Sequence, residues 1–437
     1  MILSAAVMHG LGMHQGAWLA REGDASDYVS PELFTEIART AESGKLHAIF
    51  FADGLTNAEQ GTSLPCGALD PTILLAHMAA ATTRLGLVST ATTTYNTPYE
   101  LARRFGSLDH LSRGRIGWNA VATFNPAAAA QFGTGELPDH ENRYKRMNEF
   151  VDVMVALWDS WEEGALVGDK ASGVFARADL VHEINHNGEY YSVKGPLPFP
   201  RSPQGRPALF QAGSSPDGRD LAARTADVVF TAQHLLDGAV EFRADMRARA
   251  AAHGRDPDRM KVLPGILPVL GATEAAAQER RRHLDDVLGT GPELLKLARR
   301  VGVPVEALEL DKPFPVHLVG PDAEFSGSVG FRSSLINLAV QENLTVRGLL
   351  ARYGGGHHQV VGTPEQLADI MATWIAAGAA DGFNLMVDML PSGFHDVVDM
   401  LVPELQARGM FHLDYEHATL RENLGVVPAR QLAGSAA

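Results

Sequence analysis

The sequence predicts an α/β protein, a (β/α)8 TIM barrel with insertions after strands 4 and 7, on three observations. Eight short apolar runs recur along the 437 residues, helical patterns separate them, and the polar residues able to do chemistry follow the runs rather than precede them. Alternation of strand and helix is what a parallel sheet requires, and eight is the number that closes one into a barrel. Active sites of such barrels are built at the carboxyl ends of the strands.

The runs are Ile2 to Met8, His47 to Ala52, Leu85 to Thr90, Arg115 to Ala122, Ala208 to Ala212, Asp227 to Thr231, Val262 to Leu270 and Phe383 to Asp388. Between them, Pro31 to Ser43, Pro71 to Thr82, Pro98 to Leu111, Leu221 to Ala226 and Gly238 to Gly254 carry apolar residues at helical spacing. Two connections exceed an ordinary strand-to-helix loop. The first, about 141–205, holds a helical pattern from Glu141 to Trp161 and then VHEINHNGEYYSV, where Asn187-Gly188 signals a hairpin. The second, about 273–376, holds helical patterns at Thr273 to Leu288 and Gly291 to Val301, a Gly-rich link at Gly354 to Gly356, and Thr363-Pro364-Glu365-Gln366, a capped helix start. It reads as a helical lid. The whole chain, 1–437, is expected to form one domain.

Composition narrows the function classes. A formal charge of −15 disfavours nucleic acid, whose binding depends on Lys and Arg neutralising phosphates, and an anionic membrane surface as well. A small organic ligand is the expected partner. Cys66 is the single cysteine, so no intramolecular disulfide forms and a reducing compartment fits. MILSAAVMHG lacks a basic leader and no apolar run reaches membrane-span length, which places the protein in the cytoplasm.

Two motifs mislead. His182-Glu183-Ile184-Asn185-His186 spells H-E-x-x-H, but Asn187-Gly188 follows at once, and along a strand the two imidazoles stand ~13 Å apart, too far for one zinc. No metal is expected. Gly10-Leu11-Gly12-Met13-His14-Gln15-Gly16 nearly matches a dinucleotide fingerprint, yet its spacing is long by one residue and no convincing helix opens after it. The chain therefore carries no nucleotide fold of its own.

The informative stretch is Gln211-Ala212-Gly213-Ser214-Ser215-Pro216. A strand ending in small residues and feeding a helix makes an anion cradle from unpaired backbone N–H groups and the positive helix end. At the same end of the predicted barrel lie Asp53, Thr92-Thr93-Thr94-Tyr95, Trp118-Asn119 and Thr123-Phe124-Asn125. His140 and Tyr144, four apart at the start of a helix, share one face and can reach the same cavity.

The strings KLHAIFFADG, ATTTYNTPYELARRFGSLDHLSRGRIGWNAVAT, RYKRMNEFVDVMVALWDSW, HEINHNGEYYSVKGPLPFPRSPQGRPALFQAGSS and AADGFNLM, with Val402 to Gln406 and the closing TLRENLG, resemble the bacterial-luciferase-like flavin monooxygenases. Within them they are most similar to the branch of the nitrilotriacetate, dibenzothiophene sulfone and long-chain alkane monooxygenases. The resemblance implies a two-component enzyme: FMN, used as FMNH2 supplied by a separate NAD(P)H:FMN reductase, and one atom of O2 inserted into a small organic substrate through a C4a-peroxyflavin. It implies flavin contacts at Asp53, Thr94, Asn119, Thr123, His140, Tyr144, Gly213, Ser214 and Ser215, with the serines on the phosphate. His140 and Tyr144 are the catalytic candidates, as hydrogen-bond donors. A homodimer or homotetramer is expected. Departures from the family pattern are His47, where many relatives carry Asp, and Phe124 followed by the bland Pro126 to Ala130. Left open are a flavin- or F420-dependent hydride transfer and a non-catalytic flavin-binding barrel.

Overall fold

The computed structural model describes residues 1–7, 10–56, 69–123, 125–133, 137, 139–213, 215–321, 325, 329–353 and 356–426. Cys66, Phe124 and Ser214 lie outside the described residues. The strands of the barrel are β1 (Ile2–Val7), β2 (Ala48–Phe51), β3 (Gly86–Thr92), β4 (Ile116–Val121), β5 (Ala208–Gln211), β6 (Val228–Thr231), β7 (Lys261–Leu270) and β8 (Gly382–Met386). Each pairs in parallel with the next, and β8 closes on β1 in the register Ile2↔Gly382 to Ala6↔Met386. All eight fall within a residue or two of the apolar runs, because a strand covered on both faces needs an unbroken apolar stretch.

The helices between strands begin where proline and a cap coincide. Pro31, Pro71, Pro98 and Pro216 each occupy a first helical position, and Ser30, Asp70 and Ser215 accept the backbone N–H groups of Leu33, Thr72 and Gly218. Outward-facing strand residues such as Leu3, Ile49, Leu87 and Trp118 meet these helices. Trp118 is fully buried, ringed by Phe105, Phe150 and Trp158, each with its centroid 6.1 Å away. Burial of side chains of this size stabilises by roughly 1.5–3 kcal/mol each.

Inside the barrel Phe50 lies 6.4 Å from Phe210 and 5.7 Å from Phe230, packed with Ile2, Val88, Val228 and Leu263. Leu420, Leu424 and Val426 join this interior cluster from the C-terminal segment. The interior is therefore filled, not a pore.

A ninth strand, His358–Gly362, departs from the eight-run reading: it runs parallel to the upper half of β7, from Ile266↔His358 to Leu270↔Gly362. Between β4 and β5 come helices Pro126–Gln131 and His140–Trp158 and two small hairpins, Leu166–Asp169 with Val174–Ala176 and His186–Asn187 with Ser192–Val193. The longer helix stops at Trp158, short of the expected Trp161, because the Ser160 hydroxyl turns back to Leu157 and accepts the N–H of Leu197. Between β7 and β8 stand helices Glu274–Leu288, Thr290–Val301, Val329–Gln341, Val346–Tyr353 and Pro364–Ala376. The last opens on a complete capping box of Thr363 and Gln366. This region has a core of its own around Leu297, Val301, Leu335, Leu338 and Leu349.

The two misleading motifs resolve locally. His182 pairs with Glu162 at 2.5 Å and His186 with Glu149 at 2.9 Å, so the imidazoles engage different carboxylates. In the glycine-rich loop after β1, a Cβ on Gly12 would stand 2.2 Å from the Asp388 carbonyl oxygen and one on Gly16 2.5 Å from that of Leu284. These glycines let the loop pass against neighbouring backbone. Among the described residues, no helix is long and apolar enough to cross a membrane.

Candidate active site

Polar residues gather at the carboxyl ends of β2 to β5 in two groups joined by one arginine. The first group is the turn from β5 into helix Pro216–Thr225. The Gln211 side-chain oxygen accepts the Gly213 N–H at 3.0 Å and so fixes the strand exit. A Cβ on Gly213 would lie 2.9 Å from Gly218 Cα, and one on Gly218 would lie 3.0 Å from Gly213 Cα and 3.0 Å from the Tyr144 hydroxyl. Two facing glycines thus bring the strand end and the first helical turn closer than any side chain allows.

Ser215 caps that helix, accepting the Gly218 N–H at 3.2 Å, while its hydroxyl donates to the Tyr144 oxygen at 3.3 Å. Burial pushes the Tyr144 phenol above its ordinary range, so the group stays protonated. Having accepted from Ser215, it keeps its own proton for a further acceptor. His140, the first residue of its helix behind the Asp139 cap, stacks obliquely on Tyr144 at 4.7 Å and holds Nδ1 3.4 Å from an Asp217 carboxylate oxygen. The helical spacing read from sequence puts both side chains at this cradle.

The second group lines the ends of β3 and β4. The Thr92 and Thr123 hydroxyls lie 2.7 Å apart, Thr94 N donates to Thr92 Oγ1 at 3.1 Å, and Thr123 N donates to Thr94 Oγ1 at 3.0 Å. The hydroxyls hold two strand exits in one geometry. Asn119 donates through Nδ2 to Thr90 Oγ1 at 2.9 Å, whereas its Oδ1 is buried with no hydrogen-bond partner among the described residues. Such an orphan acceptor costs about 1–3 kcal/mol unless a ligand donor meets it.

Arg143 ties the groups together: from the helix of His140 and Tyr144 it donates through Nη1 to the Thr123 carbonyl at 2.6 Å. Burial lowers its guanidinium pKa, with Tyr144, Asp139 and Tyr95 acting the other way. Asn125 links in the loop after β2, donating to Thr56 Oγ1 at 3.1 Å. Asp53 opens that loop, and burial followed by the charge of Asp70 pushes its carboxyl up to about 6. A carboxyl poised near neutrality in such a cleft can donate or accept a proton at working pH.

Of the residues singled out by sequence, His140, Tyr144, Gly213 and Ser215 are brought together at the cradle, and Thr94, Asn119 and Thr123 at the strand ends. Asp53 flanks them through its loop. Gln211 and Asn125 stood in the stretches singled out by sequence, but without roles of their own, and Arg143 was missed. Arg143 was within reach, since it stands three residues after His140 on the same helical face.

A family model described as luciferase-like monooxygenase matches residues 11–381. The chain is 43% identical over 421 residues to the N-acetyl-S-(2-succino)cysteine monooxygenase of Bacillus subtilis, covering 95% of each chain. It is 42% identical over 430 residues to nitrilotriacetate monooxygenase component A of Aminobacter aminovorans, covering 95% of this chain and 94% of that one. The solved EDTA monooxygenase of Chelativorans sp. BNC1 superposes with a TM-score of 0.82 at 32% identity, over 98% of this chain and 99% of the other. With relatives of this similarity over nearly their whole length, hydride transfer and a non-catalytic barrel give way among the readings left open. The chain belongs to the luciferase-like monooxygenase family and is a flavin-dependent monooxygenase.

Proposed function

We propose that the enzyme binds FMN as FMNH2, received from a separate NAD(P)H:FMN reductase, and uses O2 to oxygenate a small organic substrate. The observation that carries this reading is the cradle of Gly213, Ser215, Gly218 and Tyr144. It offers what a phosphate monoester needs: helix N–H groups and a hydroxyl with a proton to give, on a turn that two facing glycines draw tight. The orphan Asn119 Oδ1 fits the N–H edge of a flavin ring.

When bound, reduced FMN supplies two electrons for O2 activation, so that one oxygen atom enters the substrate and the other leaves as water. The chain's own residues do the rest. Ser215 and Tyr144 hold the phosphate, with His140 beside them. Thr94, Thr123 and Asn119 orient the ring, and Asp53 holds or releases a proton at the edge of the cleft. The half-buried Arg143 guanidinium places positive charge next to the Thr123 exit, where it would favour an anionic group of a bound cofactor. The geometry at Ser215 favours holding roles for His140 and Tyr144 over direct contact with the reacting oxygen. The region between β7 and β8 closes the mouth against water. The relatives' names span substituted cysteines, aminopolycarboxylates and sulfones and do not choose a substrate. The chain acts as one unit of 437 residues in a homodimer or homotetramer.

Mixing the protein with photoreduced FMN and then O2, and timing the return of oxidised FMN absorbance, tests the reading. Reoxidation slowed well below the rate in buffer is expected. Reoxidation as fast as in buffer overturns it.

A further inference from the structure

The helix His140–Trp158 starts at the cofactor cradle and ends about 28 Å away, at 1.5 Å per residue. Beyond that far end comes the hairpin of Leu166–Asp169 with Val174–Ala176, which takes no part in the site. Its root is firmly held. Trp161 bridges Val181 in antiparallel fashion, Glu162 N donates to the Leu180 carbonyl at 2.9 Å, and Arg177 N donates to the Ala165 carbonyl at 2.8 Å. The Trp161 indole donates to the Leu197 carbonyl at 2.8 Å. Past the root the hairpin stands clear of the body as an arm: a Cβ on Gly164, Gly168 or Gly173 would meet nothing within 4 Å.

The arm is apolar. Phe175 is 70% exposed, Leu166 47%, Val167 44% and Val174 42%. Single apolar side chains are ordinary on a surface, but four of them on one short ribbon form a patch of the kind that marks contact with another protein. Next to the register pair Leu166↔Ala176, Val167 and Phe175 turn together to the opposite face. The ribbon's sheet has two strands and no third, an arrangement that is marginal in water until another surface packs against it.

The charges are set end to end. Lys170 stands at the tip and Glu163 at the root, both exposed, and among the described residues neither belongs to an ion pair. Seven extended residues separate them by ~23 Å, so they do not meet within one chain. From Gly164 to Ala176 the only charged residues are Asp169 and Lys170, which cancel. In a chain of net charge −15 this stretch is one that a second copy can approach without repulsion.

We infer that the arm is a self-association surface: two copies stack their arms antiparallel about a two-fold axis, with Val167 and Phe175 at the centre and Lys170 of each on the partner's Glu163. This inference deepens the homo-oligomer reading above and rests on it. A two-fold contact makes every interaction twice, so a tip and a root of opposite charge complement each other at both ends. Exposed apolar side chains fit a lasting contact between copies better than a passing encounter with a reductase, because permanent interfaces are the more hydrophobic ones. At about 150–250 Å² per ring, two Phe175 side chains at this exposure bury about 200–350 Å². They are therefore the centre of an interface that needs ~1,600 Å² in all. Exposed Leu111 extends it on the same flank, since the neighbouring His110 meets the Pro200 carbonyl at 2.8 Å, close along the chain to the Leu197 that anchors the arm.

Sedimentation velocity of the full chain over a range of concentrations is the test, with circular dichroism and FMN affinity as controls on the fold. The parent is expected to run as a dimer or tetramer. Phe175→Asp should weaken self-association on the order of a hundredfold and halve the mass, leaving both controls unchanged. Lys170→Glu and Glu163→Lys should each weaken it about fivefold, and the two together should restore it, a rescue that only contact between copies provides. Variants that all keep the parent's mass, or a double charge variant no tighter than the single ones, would overturn the arm as the interface and leave the homo-oligomer standing. A parent that is monomeric throughout removes the homo-oligomer reading itself, and the arm contact with it.

Discussion

His47 shows how one substituted residue sets a pH limit. It is buried before β2, accepts the Leu3 N–H at 3.3 Å through Nδ1, and stacks on His412 at 4.6 Å. Burial, then the His412 charge and the chain's amino terminus, lowers its pKa from 6.5 to about 3. A base held neutral in the fold contributes stability that is present above its unfolded pKa and lost as pH falls from 6.5 toward 3. At about 1.4 kcal/mol per unit, moving from pH 7.5 to pH 5 should remove about 2 kcal/mol. Urea unfolding of the parent and of His47→Gln at both pH values checks this. The variant should lose about 2 kcal/mol less between them, and an equal loss in both would assign the acid sensitivity elsewhere.

Among the elements, the insertion after β7 is tied to the barrel through a buried charge. Asp388, just past β8, is nearly inaccessible and receives Arg280 Nη2 at 2.9 Å from helix Glu274–Leu288, while Arg280 Nη1 meets Asp396 at 3.0 Å. Removing the guanidinium leaves the Asp388 carboxylate buried with the Met389 N–H as a remaining donor. Arg280→Met should therefore cost about 3–5 kcal/mol in denaturant unfolding, and adding Asp388→Asn should restore part of it. A double variant no more stable than the single one would show that the contact, not the stranded charge, is what matters. Neither this pair nor the strand His358–Gly362 was legible in the sequence. That strand opens on His358 and Gln359 and pairs with only half of β7, so it lacks the unbroken apolar run that revealed the other eight. Helix Val329–Gln341 was missed because it buries Arg332 on its inner side, with donors on the Val301 and Gly320 carbonyls, which blurs the apolar stripe. The cradle was legible for the opposite reason: a cap, a proline and two glycines are local signals, and the reach of Tyr144 to Ser215 follows from helical spacing. The Thr92–Thr123 contact and the Arg143 bridge join residues from separate strands and helices and needed the closed barrel.

At the scale of the whole molecule, ligand binding and folding are one equilibrium, and the cradle can be weighed through it. A ligand that binds only the folded chain adds about 2.7 kcal/mol of stability at a hundred times its dissociation constant. Oxidised FMN at that concentration should raise the parent's unfolding free energy by this amount. Ser215→Ala removes two things at once: the cap on helix Pro216–Thr225, worth about 1 kcal/mol in the unliganded chain, and the hydroxyl that positions Tyr144. If the phosphate sits where we place it, affinity falls about tenfold, and the same FMN concentration then adds only about 1.4 kcal/mol. The two losses separate cleanly, because the first appears without FMN and the second only with it. Tyr144→Phe provides the complementary case. Its helix keeps every cap, so unliganded stability should stay within about 1 kcal/mol of the parent while the FMN increment shrinks. An FMN increment unchanged in both variants would move the phosphate to another helix end, whereas a shrunken increment confined to them fixes it at the turn from β5.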